Sequence, residues 1–178
     1  MLIVPIFIPH EGCPYRCVFC SQVDITGTRY IADEKLILDT LKTYLGSDLN
    51  PTHISNCEVA FYGGSFTGLP KGRQESLLSV IRPFLDNGLV AKARISTHPL
   101  FVDSERLDLI KSYGVKTVEL GVQSTSEQVL EESGRPCSKV NLLKSISLIK
   151  GHGFSLGLQL MMGLPGDNEK RFQKSVLD

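Results

Sequence analysis

Cys13-Pro14-Tyr15-Arg16-Cys17-Val18-Phe19-Cys20 sets three thiols at spacings of three and then two intervening residues, directly after an apolar run. Soft thiolates select zinc, copper(I) or iron–sulfur clusters over oxygen-loving ions. On so short a loop the three sulfurs can turn toward a common centre. A closed tetrahedral zinc site needs a fourth Cys or His nearby. None follows at a suitable spacing: the next cysteine is Cys57, and His10 lies on the other side, against the apolar run. A cubane cluster held by only three cysteines leaves one iron open to an outside ligand, which catalysis at a cluster requires. The alternative is a buried or zinc-binding use of the same thiols in a non-enzymatic domain.

These residues need a scaffold, and the chain supplies one. At 178 residues it matches one domain, spanning 1–178, with room for a real core. Lys+Arg 19 and Asp+Glu 19 cancel, which removes the global electrostatic case for nucleic-acid or membrane binding and leaves only local basic patches. Five cysteines, three of them in one loop, do not form a disulfide framework, so a reducing cytoplasm is expected. Leu2 to Ile8 lacks a positive leader and is far too short to span a bilayer; it reads as a strand.

Apolar runs and helical periods alternate along the chain. Leu2 to Ile8 is mostly β-branched, as suits a strand buried on both faces, while Pro5 hints at an edge or bulge. Ser21 to Tyr30 reads as polar turn, and Asp33 caps a helix bearing Ile37, Leu41, Tyr44 and Leu45 that Gly46 ends. Ser47 to Asn56 reads as loop. Glu58 to Tyr62 is a strand, and the next helix places Leu77, Leu78, Ile81 and Leu85 inward, with Pro83 expected to kink or end it. Ala93 to Thr97 is the third strand, followed by a helix capped by Asp103 and closed by Gly114. Val115 to Val122 is the fourth. Thr125 and Gln128 have the form of a capping box, and the helix from Lys139 to Lys150 groups Val140, Leu143 and Ile146. Phe154 to Met162 is the fifth strand, and Asp167 caps a last helix.

Strands alternating with amphipathic helices predict an α/β fold with a parallel sheet, here a partial (β/α) TIM-like barrel of about five strands with outer helices. A doubly wound open sheet uses the same unit and is the alternative. In either, the active site lies at the carboxyl ends of the strands. The unusual residues sit there: the cysteines, Gly63-Gly64, Ser96, Gln123, Gln159 and Gly163.

CxxxCxxC with an aromatic residue before the last cysteine, here Phe19, resembles the cluster loop of the radical S-adenosylmethionine (SAM) superfamily. The resemblance implies that Cys13, Cys17 and Cys20 hold a [4Fe-4S] cluster whose open iron binds SAM. One electron would then cleave SAM to methionine and a 5′-deoxyadenosyl radical. Phe61-Tyr62-Gly63-Gly64-Ser65 resembles the family's glycine-rich motif at the SAM amino group. Val118 to Ser124 and Leu160 to Gly166 look like signatures of the branch containing Elp3, the catalytic subunit of Elongator, and the oxygen-independent coproporphyrinogen oxidases. By that resemblance Gln123, Arg135 and Gln159 meet the ribose, carboxylate and adenosine parts of SAM.

The chain departs from the oxidases. They carry a further cysteine where Ser21-Gln22 stands, and a glutamate and an aspartate where Ser96 and Gln159 stand, while Arg94 to Pro99 leans toward Elp3. The sixth strand of the family barrel and the acetyltransferase domain of Elp3 are both missing. A fragment of a longer protein, tending to self-associate through its open barrel edge, or a chain that needs a partner to close, is therefore expected. An external electron donor is implied, and tRNA is the substrate the Elp3 likeness suggests. Glu119 points either into the barrel or out to a salt bridge. Cys57 and Cys137 read as structural thiols, His10, His53, His98 and His152 have no metal-binding spacing, and Leu160-Met161-Met162 reads as core filler.

Overall fold

The computed structural model describes residues 2–9, 11–21, 31–46 and 57–178. The turn expected up to Tyr30, the loop expected from Ser47 to Asn56, His10 and His53 lie outside them. Strands β1 (Leu2–Phe7), β2 (Cys57–Tyr62), β3 (Lys92–Thr97), β4 (Val115–Gln123) and β5 (Ser155–Leu160) form one parallel sheet in chain order. Helices α1 (Glu34–Leu45), α2 (Lys71–Asp86), α3 (Ser104–Ser112), α4 (Glu127–Glu132) and α5 (Lys139–Gly151) connect them, and α6 (Glu169–Leu177) follows β5. A doubly wound sheet reverses its strand order part-way, whereas here every crossover advances to the next position. The result is an open, partial TIM-like barrel. Pro5 lies on the edge strand β1, where its missing N–H costs no ladder bond on the open side.

The helix-covered face carries the core: Val4 and Ile6 of β1, Val59 and Phe61 of β2, Ile95 of β3, and Val118 and Leu120 of β4. They pack on Ile37 and Leu41 of α1, Leu77, Leu78 and Ile81 of α2, and Leu107 and Ile110 of α3. The apolar run of β1 predicts burial on both faces, but Phe7 on the other face is exposed.

Register aligns polar side chains on the concave side. Glu58 pairs with Lys92, Ala60 with Arg94, Arg94 with Thr117, and Ser96 with Glu119. Arg94 bridges two carboxylates, donating to Glu58 at 2.5 Å and to Glu119, and Lys92 Nζ stands 3.6 Å from Glu58. The hydrogen bond to Glu58, then the one to Glu119, raises the Arg94 guanidinium above its already high ordinary pKa. Barrel interiors are usually filled by branched apolar layers, whereas here an ion-pair network occupies part of the concave face. Glu119 thus points inward and also makes a salt bridge.

Several local expectations need correction. α2 runs through Pro83 to Asp86, so Pro83 does not end it; the carbonyl that loses its helical partner belongs to exposed Ser79. Thr125 and Gln128 do not box α4: its N-cap is Ser126, and Thr125 Oγ1 instead donates to Asp178 at 2.7 Å. The capping box lies at α5, where Ser138 and Asn141 satisfy each other's backbone N–H groups. α6 is capped by Asn168 rather than Asp167, through a bond from Arg171 N at 3.0 Å. α5 buries Leu142, Ser145 and Ile149, which follow one another at helical spacing, and leaves Val140 and Leu143 exposed. Met161 and Met162 are exposed too, as is Tyr44 of α1. Asp33 and Asp103 do cap α1 and α3, as their positions predict.

Candidate functional site

Where β1 ends, the chain turns through Glu11 and Gly12 into the cysteine loop, and three contacts anchor that turn. Arg73 of α2 grips Glu11 bidentately at 2.8 and 2.9 Å, and Ser65 N donates to Glu11 O at 3.0 Å. Gly64 supplies the third. A Cβ on Gly64 would collide with the Glu11 carbonyl and stand 2.7 Å from that of Ile8, so only glycine lets the two loops touch. Gly63 beside it takes φ +86°, again a glycine conformation.

The loop after β2 is in turn tied to the end of β3. Ser65 Oγ lies 2.9 Å from Thr97 Oγ1, Thr67 Oγ1 lies 2.5 Å from the same oxygen, and His98 N donates to Ser65 Oγ at 3.0 Å. After α4, Gly134 at φ +63° turns the chain so that Arg135 faces back over the sheet. Arg135 Nη2 donates to the carbonyl of Gly121, Nη1 reaches Cys17 Sγ at 3.9 Å, and Val18 N donates to Ser133 O at 3.0 Å. The cysteine loop is therefore held from both sides.

One cavity of about 1000 Å³ opens among these loops. Its wall includes Cys13, Cys17, Cys20, Phe19, Gly63, Gly64, Ser96, Gln123, Arg135 and Gln159. Residues that stand as much as 146 positions apart in sequence, Cys13 and Gln159, thus share one space at the carboxyl ends of the strands. Gly163 is not among them. It closes a turn beyond β5 at φ +79°, its N–H 3.3 Å from Asp167 Oδ2.

The polar members are braced. Gln159 Nε2 donates to Glu119 at 2.9 Å and Ser96 Oγ donates to the same carboxylate at 3.2 Å, while Arg94 holds its other oxygen. Gln123 takes φ +69°, the one positive φ at a non-glycine residue among those described, at a register shift between β4 and β5. Such a backbone state costs about 1–2 kcal/mol and persists where surrounding structure enforces it, often at functional sites.

The donor set fits a soft-metal cluster: three reduced thiols share the wall, Cys17 buried and Cys20 exposed, with the cation of Arg135 against Cys17. Among the described residues, however, no three of His, Cys, Asp and Glu are gathered closely enough to share a metal ion. The expectation of a common centre is not met in this conformation. The loop's backbone is irregular from Cys13 to Cys20, so its side chains can close on a metal without breaking a helix or strand.

Spacing did not single out Tyr15, Tyr62 and His98, which line the same cavity. Tyr15 stacks on Phe101 with centroids 5.9 Å apart and tilts against His98 at 5.1 Å. Burial, and then the Arg135 charge, push the His98 pKa down to about 3, so the ring is neutral. Burial, and after it the Glu119 carboxylate, raise the Tyr62 phenol against the opposing Arg94. His98 shows the positional signal of the other site residues, since it stands at the carboxyl end of a strand. Cys57 and Cys137 lie apart, their thiol pKa values raised chiefly by burial, as structural thiols would be.

Known proteins share this fold in outline. The chain is 28% identical over 167 residues to the heme chaperone HemW of Bacillus subtilis (strain 168), covering 92% of this chain and 44% of that protein. The archaeal Methanocaldococcus infernus Elp3 superposes with a TM-score of 0.70 at 19% identity, over 98% of this chain and 41% of that one. Coproporphyrinogen III oxidase (HemN) from Escherichia coli, a radical SAM enzyme, superposes with a TM-score of 0.66 at 20% identity, over 99% and 41%. The chain spans less than half the length of these relatives. Identities this low between structures show the shared fold. The sequence model of the radical SAM superfamily matches residues 7–178, almost the whole of what folds around the cavity, and the chain belongs to that superfamily.

Proposed function

We propose that residues 1–178 form the cofactor-binding core of a radical SAM enzyme, with Cys13, Cys17 and Cys20 as ligands of a [4Fe-4S] cluster. When bound, the cluster and SAM supply one-electron cleavage of the sulfonium to methionine and a 5′-deoxyadenosyl radical that takes hydrogen from a substrate. The supporting observation is the meeting of the cysteine loop, Gly63-Gly64, Gln123, Arg135 and Gln159 around one cavity. In this reading the guanidinium of Arg135 meets the SAM carboxylate. Gln159 and Ser96, braced by Glu119, orient the adenosine end. Gln123, fixed by its strained backbone, contacts the ribose. Phe19 and Tyr15 help exclude water.

Anaerobic loading with iron and sulfide, then dithionite and SAM, is expected to release 5′-deoxyadenosine. A stable zinc adduct with no SAM turnover would instead support a structural thiolate site. The reading extends to an external electron donor, a cytoplasmic setting and, from the likeness to Elp3, a tRNA substrate, against which the zero net charge argues for a local contact rather than a global one. Among the described residues no helix is long and apolar enough to cross a membrane. Edge strand β5, with Leu158 half exposed, and the exposed Met162 just beyond it offer the surface for self-association. Sedimentation velocity is expected to show a concentration-dependent oligomer; a monomer at all concentrations is the contrary result.

A further inference from the structure

Cys17 differs from the other two thiols of the trio in how firmly it is held. It is 6% exposed, whereas Cys20 is exposed and Cys13 lies between the two. Its carbonyl accepts the Cys20 N–H at 2.9 Å, the N–H of the next residue, Val18, goes to Ser133 O at 3.0 Å, and Arg135 Nη1 stands 3.9 Å from its sulfur. Arg135 is held in turn. Its backbone N–H donates to Leu130 O at 2.8 Å, just past the end of α4, and Nη2 donates to the carbonyl of Gly121 on β4. This guanidinium, buried with its residue, thus ties a strand end to one sulfur of the cysteine loop, and all three residues line the cavity. A buried charge is little screened by salt.

We propose that Arg135 is also a positioning residue of the cluster: it fixes Cys17 as the anchored ligand and donates an Nη1–H to that thiolate sulfur in the loaded protein. The inference rests on the radical SAM reading above and goes beyond the carboxylate contact given to Arg135 there. Each Nη nitrogen carries two N–H groups, so the bonds to Cys17 and Gly121 leave donors for a carboxylate. The three sulfurs are not gathered in this conformation, and Cys17 is the one already fixed, so loading brings Cys13 and Cys20 toward it and leaves the Arg135 contact in place. A thiolate, being an anion, accepts a stronger, charge-assisted bond than a thiol does. Reduction adds a negative charge to a cluster, which hydrogen bonds at its sulfurs and a neighbouring cation stabilise. Arg135 therefore raises the reduction potential even with no SAM bound.

The test is a redox titration, followed by electron paramagnetic resonance, of the cluster-loaded chain without SAM. Arg135→Met keeps an unbranched stem and removes both charge and donors; Arg135→Lys keeps the charge. The methionine variant is expected to favour the reduced cluster about tenfold less, which is about 59 mV more negative for one electron. The lysine variant is expected to recover part of that difference. Should methionine prevent folding or loading, Arg135→Lys against Arg135→Gln makes the comparison, with the higher potential expected for lysine. Equal potentials in parent and variants overturn the inference alone, even where SAM affinity or cluster yield falls. A parent chain that takes up no cluster overturns the reading beneath it, and this inference with it.

Discussion

Replacing Cys17 by alanine is expected to abolish the iron–sulfur chromophore of the reconstituted chain and bring its iron and sulfide content to background. Cys17 is the buried member of the trio and the one against Arg135. Without its thiolate, two sulfurs remain for a cluster that three are needed to hold, and the Arg135 charge faces an apolar methyl. Changes one layer outside a metal's ligands cost roughly 10–100-fold in affinity or activity. Loss of a ligand should exceed that, leaving no detectable 5′-deoxyadenosine from dithionite and SAM. The fold should survive, because the alanine removes one small side chain from a loop and leaves the sheet and helices untouched; an unchanged circular dichroism spectrum checks this. Cys57→Ala is the control. That thiol lies at the start of β2 in the core and outside the cavity, so its loss should leave the cluster in place. A Cys17→Ala protein with a full, SAM-active cluster would remove Cys17 from the ligand set.

Arg94→Met is expected to destabilise the fold by about 3–5 kcal/mol, the range for removing one partner of a buried ion pair. Glu58 has no exposed surface, and Arg94 is its hydrogen-bonding cation, with Lys92 only at 3.6 Å. The same substitution strips Glu119 of its cation, and Glu119 braces both Gln159 and Ser96. Stability and SAM binding should therefore fall together. Lysine is a poor substitute, since one ammonium cannot reproduce the planar fork that meets two carboxylates at once. Urea denaturation measures the loss, which is large against a usual total of about 5–15 kcal/mol. Adding Glu58→Gln should restore much of the stability by removing the unpaired charge, and a loss under about 1 kcal/mol from Arg94→Met would show that the network is not a structural element.

Both experiments turn on residues of different legibility. The three cysteines were visible in sequence because a thiolate set declares itself by residue type and close spacing. The strand-end positions of Gly63, Gly64, Gln123 and Gln159 were visible because strands betray themselves by apolar runs, and parallel α/β architectures collect their chemistry at those ends. Arg94 was not visible as the centre of a network. Its two partners lie 36 and 25 residues away on neighbouring strands, and only register brings them together. The helical period does not single out the buried face of α5, because Val140 and Leu143 satisfy it as well as Leu142 and Ile149 do. Which of two apolar stripes faces inward depends on what packs beside it.

The amino-acid sequence by itself determined the alternation of strands and helices, the caps at Asp33 and Asp103, and the crowding of three thiols into one loop. Each of these is governed by local steric preference or by the chemistry of neighbouring side chains. Only the tertiary structure decided between a partial barrel and a doubly wound sheet, because the repeating unit is common to both and strand order is a long-range choice. It alone brought His98 beside Tyr15, set Arg135 against Cys17 and left Gly163 outside the cavity. Those placements depend on crossover packing and on glycine-permitted contact between loops, which no local pattern encodes.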